Sequence, residues 1–124
     1  MEKKLNIYKT LIYYDGPQLF LAYDISKECF LCMAIESEND DEYVAIPIFI
    51  DVWNMLVEGT MDLRDAYIQS KFWYHVSVNN KKELIGMPFQ LVGLDERYLP
   101  DAGMNFSELG IVFGDIILPE QNKA

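Results

Sequence analysis

Cys29 and Cys32 stand three positions apart, the only C-x-x-C spacing in the 124-residue chain. Such a pair does thiol–disulfide chemistry when it opens a helix, whose N-terminus lowers a thiol pKa, and it holds zinc when two further ligands converge. Here the run 29–35, Cys-Phe-Leu-Cys-Met-Ala-Ile, is apolar at every position and bounded by polar segments. That length and setting predict a central strand covered on both faces rather than a helix. On a strand, side chains three apart point to opposite faces, so the two sulfurs neither bridge nor share a metal. The single histidine, His75, is too little to complete a zinc site. The expectation is two buried core thiols, with no disulfide, metal or cofactor.

The other chemistry-bearing residues resolve similarly. Residues 36–42 carry five carboxylates, Glu36, Glu38, Asp40, Asp41 and Glu42. A calcium loop would need a glycine at its tight turn and a greater length, so this segment reads as an acidic hairpin tip. His75 has the residue type for acid–base work but no nucleophile in a G-x-S-x-G elbow accompanies it. Asp62 and Asp65 fit the cap and first turn of a helix better than a catalytic carboxylate pair. Gly103, Gly110 and Gly114 match neither a phosphate loop nor a dinucleotide fingerprint. No catalytic residue is assigned, and the chain reads as a non-enzyme.

The elements that would position these residues follow from hydrophobic period and turn chemistry. Residues 5–14 favour strand, Asp15-Gly16 supplies a turn, and 19–24 return as a second strand with Pro17 at its start. The run 29–35 and a partner over 43–48, ended by Pro47, make a hairpin around the acidic tip. Phe49, Val52, Trp53, Leu56 and Val57 then recur at helical spacing, predicting a helix over 51–58 stopped by Gly59. A second short helix over 62–67 starts at Asp62 and places Leu63, Ala66 and Tyr67 on one face. Residues 72–78 alternate as a strand, 79–82 turn, and 89–94 after Pro88 are the candidate for a last strand. The order gives an α+β domain: a mostly antiparallel sheet of five to six strands with a two-helix corner packed on one face. One domain spans 1–118, and 119–124 form a tail.

Ten Lys and Arg against twenty Asp and Glu give a net charge of −10. Phosphate-backbone binding needs clustered cations, so direct nucleic-acid binding is excluded as an expectation. A basic protein is the complementary partner, and a nucleic-acid-binding protein met by mimicry of its ligand is one case. Glu38, Asp40, Asp41 and Glu42 are the candidate contacts, with Tyr13, Tyr14 and Trp73 as aromatic anchors. There is no apolar run long enough for a membrane span and no apolar block of signal-peptide type, so the reading is cytoplasmic. Two alternatives remain: a small-molecule or enzymatic pocket near His75 and Trp73, and a structural subunit or homo-oligomer joined through Ile111, Val112, Phe113, Ile116 and Ile117.

The stretch Tyr14-Asp15-Gly16-Pro17-x-Leu19-Phe20 is joined by Leu56-x-x-Gly59, Asp62-Leu63-Arg64, Ala66-Tyr67 and Leu99-Pro100-Asp101-x-Gly103. Together they resemble a family of small bacterial or phage proteins of unknown function. The resemblance covers most of 5–103, rests on turns, caps and a helix stop, and implies a shared fold without any activity. In composition alone the chain is also similar to phage inhibitors of bacterial defence and to immunity proteins that neutralise toxins.

Overall fold

The computed structural model describes residues 2–13, 16–35, 41–89 and 99–100. Four strands come first: β1 (Lys3–Tyr13), β2 (Pro17–Tyr23), β3 (Cys29–Ala34) and β4 (Glu42–Pro47). Helices α1 (Ile50–Glu58) and α2 (Leu63–Gln69) follow, and β5 (Trp73–Val78) and β6 (Leu84–Phe89) complete the order. Each strand pairs antiparallel with the next, and β6 pairs back to β1. The antiparallel α+β expectation therefore holds, with closure into a six-stranded barrel in place of an open sheet.

Closure depends on the length of β1. Its start pairs with β6 (Lys3 with Gly86, Lys4 with Ile85, Leu5 with Leu84), while Asn6 onward pairs with β2. Register shifts around Tyr8 and Leu11 let so long a strand coil around the barrel. The sixth strand is at Leu84–Phe89 rather than over 89–94, of which 90–94 lie outside the described residues. Pro88 lies inside this strand, opposite Tyr74, and is tolerated because the β1–β6 register ends at Gly86.

Strand alternation divides the apolar residues into two clusters. Leu5, Phe20, Ala22, Phe30, Cys32, Tyr43, Ala45 and Val76 come from the inward positions of five strands and fill the lumen, with Tyr74 and Leu84 against them. A barrel this narrow is filled by side chains. Two edge-to-face pairs occupy it, Phe20 with Tyr43 at 5.0 Å and Phe30 with Tyr74 at 5.3 Å between ring centres. Gly86 faces the same lumen, where a Cβ would meet Tyr74, Val76 and Leu5 at 3.6–3.7 Å, ordinary van der Waals contact.

The second cluster lies on the outer face of β2, β3 and β4, where Leu19, Leu21, Cys29, Leu31, Val44 and Ile46 meet Val52, Trp53, Leu56, Leu63, Ala66 and Tyr67 of the helices. Cys29 is thus under the helices and Cys32 in the lumen, on opposite faces as the spacing predicts. Both thiols are free and buried. The buried Tyr67 hydroxyl lies 2.8 Å from the Leu31 carbonyl and 3.1 Å from that of Val44, so its proton ties α2 to the β3–β4 ladder.

The helix ends follow the local code. Gly59 closes α1 in the left-handed region at φ 80, and its N–H donates to the Leu56 carbonyl. Asp62 caps α2, its carboxylate accepting from the Asp65 amide at 2.7 Å. Asp62→Ala is expected to cost about 1 kcal/mol, read as a lower urea midpoint at unchanged slope. A midpoint equal to wild type would show that the cap is dispensable.

Candidate functional site

In an up-and-down barrel the β1–β2, β3–β4 and β5–β6 connections all emerge at one end. Tyr13, the last residue of β1, is therefore at the same end as Asp41 and Glu42, which open β4. Tyr13 is 72% exposed, and Asp41 is exposed at the same barrel end, with β2 and β3 between their strands. Asp41 adopts φ 65, a left-handed conformation that aspartate tolerates better than most residues. Burial first, and then the nearby Asp41 carboxylate, raises the Tyr43 pKa. The Tyr43 ring stands edge-on to Phe20 in the lumen, so the residue two positions after Asp41 is anchored in the packed interior.

Glu42 points outward and meets His75 of β5, with Oε1 3.1 Å from Nε2. Both side chains are partly buried, His75 at 34% and Glu42 at 20% exposure. The two are brought together by register, since Glu42 opposes Ser77 and Val44 opposes His75. With His75 protonated this is a charged pair, and with His75 neutral a hydrogen bond to the carboxylate. A third catalytic group is not placed with them by any described contact.

Trp73 does not join this rim. It starts β5, four positions and about 13 Å along the strand from Ser77. Its indole N–H donates to the Tyr67 carbonyl at 2.9 Å, which satisfies an orphan acceptor at the end of α2, and its ring packs on the outer cluster. Tyr14, Glu38 and Asp40 lie outside the described residues. So do Ile111, Val112, Phe113, Ile116 and Ile117.

A second polar centre had no signature in the sequence. Asp24 is only 4% exposed, and its carboxylate accepts from the amides of Ser26 and Glu28 and from the Lys3 ammonium at 3.2 Å. Lys3 also lies 3.4 Å from Glu28 and 5.8–5.9 Å from the ring centres of Phe30 and Tyr74. Burial pulls the Lys3 pKa down, but the Asp24 hydrogen bond and the Glu28 and Asp24 charges outweigh it, and the net shift is upward. Lys3 and Leu5 share a strand face, so the ammonium plugs the lumen mouth. Beside it a cleft of about 550 Å³ is lined by residues including Lys4, Tyr23, Ile25 and Lys27.

No family model matches the chain, and no curated protein or solved structure does. Among the described residues, no three His, Cys, Asp or Glu side chains gather as metal ligands, and no helix is long and apolar enough to cross a membrane. The Lys3 centre is internally paired and structural in geometry. The rim around Tyr13, Asp41 and Glu42 presents groups to the outside.

Proposed function

We propose that the protein is a non-enzymatic interaction module whose acidic barrel end binds and blocks a basic surface of a partner protein. The supporting observation is the exposure of Tyr13 at the same barrel end as Asp41 and Glu42. The lysine ion pairs among the described residues go to Asp24, Glu28 and Glu83, not to these two acids. Lys81 and Lys82 turn at the same end, within a chain whose net charge is −10. Charge of this sign speeds encounter with a cationic surface, and an exposed tyrosine supplies an amphipathic anchor with few rotamers to freeze. A nucleic-acid-binding protein is the partner class that best fits such a surface, which would occupy its phosphate site.

The Glu42–His75 pair favours a second reading, a small-molecule or enzymatic site on the outer face of β5. His75→Ala separates the two. The interaction reading expects unchanged partner binding, whereas loss of an activity in a folded protein supports the site. On the first reading, Asp41→Lys with Glu42→Lys should slow association at low salt by about tenfold or more, with little change at 1 M salt. An association rate independent of both substitutions and salt would remove the charge argument.

A further inference from the structure

We propose that the β1–β6 seam is an electrostatic latch that opens as a unit while the rest of the barrel stays paired. Three residue pairs hold this seam, Lys3 with Gly86, Lys4 with Ile85 and Leu5 with Leu84. Every other strand pair in the barrel is registered over four to six. The seam is also the longest-range pairing in the fold, joining the start of β1 to β6 some eighty residues later, so no short connection holds its edges together.

What compensates is charge. Lys3 and Lys4 are consecutive, so they leave β1 on opposite faces. Lys3 turns inward to Asp24 and Glu28 on the β2–β3 connection, over the rings of Phe30 and Tyr74. Lys4 turns outward to Glu83, just before β6, and that hydrogen bond is the leading cause of the lowered Glu83 pKa. The first strand is thereby clipped to the turn at each side. Side-chain exposures of 29% for Lys3 and 61% for Lys4 keep both clips within reach of salt. Release of both would uncover the lumen mouth at Phe30 and Tyr74, next to the cleft lined by Tyr23, Asp24 and Ile25. The β3–β4 ladder has no comparable weakness, being covered on both faces and tied by Tyr67.

Hydrogen exchange at the full chain tests this directly. In the wild type, raising salt from 0.02 to 1 M should speed exchange of the peptide covering 3–7 by about tenfold, the scale of one partly buried charged hydrogen bond. Peptides covering 29–34 and 42–47 should keep their rates. Lys3→Met combined with Lys4→Met, which retains both apolar stems but releases both clips, should reproduce the acceleration at low salt and abolish most of its salt dependence. The proposal is overturned if 3–7 exchanges at a salt-independent rate, or if all strands accelerate together as in global unfolding. The salt series on the wild type decides the matter even if the variant fails to fold.

Discussion

Phe30→Ala is expected to lower the unfolding free energy by about 3–5 kcal/mol, a large share of the roughly 5–15 kcal/mol typical of a domain. Phe30 is fully buried at an inward position of β3. Its ring meets Tyr74 edge-on, and the Lys3 ammonium lies over its face. Removing it opens a cavity in a lumen whose walls are hydrogen-bonded strands, which cannot collapse inward as a loop could. The same change at Phe49, which is 46% exposed at the start of α1, should cost well under half as much. Denaturant melts of the two variants decide this. Equal losses would mean that the lumen is not the packed centre of the fold.

Alkaline pH should destabilise the protein steeply, beginning near pH 9. Burial pushes the Cys29 thiol up to about 12 and the Cys32 thiol and Tyr67 hydroxyl well above their usual values. Burial likewise raises Tyr43 and Tyr74. In the unfolded chain thiols ionise near 8.5 and tyrosines near 10. These groups stay neutral in the folded state, so the unfolded state loses protons first and stability falls as pH rises through this window. Each thiol contributes a slope of about 1.4 kcal/mol per pH unit once ionised only in the unfolded state. Lys3 adds to the same trend, because its raised pKa gives stability that is complete below about 10.5 and lost above it. Urea midpoints from pH 8 to 11 should decline, and Cys29→Ala with Cys32→Ala should flatten the part between 9 and 10. A wild-type midpoint constant over that interval would contradict the burial of both thiols.

Features written within a dozen residues were legible in the sequence. The opposite faces of Cys29 and Cys32, the stop at Gly59, the Asp62 cap and the buried triplet Leu63, Ala66, Tyr67 all follow from strand or helix period acting locally. Barrel closure was not legible, because the pairing of Lys3 with Gly86 is set by how far β1 coils and no neighbouring residue encodes it. The sixth strand was obscured by Gly86 and Pro88, each a strand breaker in isolation. Tertiary context admits both, Gly86 paired on both sides with β1 and β5 and Pro88 past the end of the seam. The candidate site divides the same way. Tyr13, Asp41 and Glu42 share a barrel end, as hairpin connectivity implies, whereas Trp73 is drawn to α2 by a hydrogen bond to Tyr67. The Glu42–His75 contact spans thirty-three positions and depends on the β4–β5 register.

The claim that the acidic end is the binding surface is tested most directly by paired affinity capture from native extract. Wild type and the Tyr13→Ser, Asp41→Lys, Glu42→Lys variant would be compared at 0.05 and 0.5 M salt. The account predicts a basic protein retained by the wild type at low salt, eluted at high salt and absent from the variant. Retention of the same protein by both forms at both salt concentrations would contradict it.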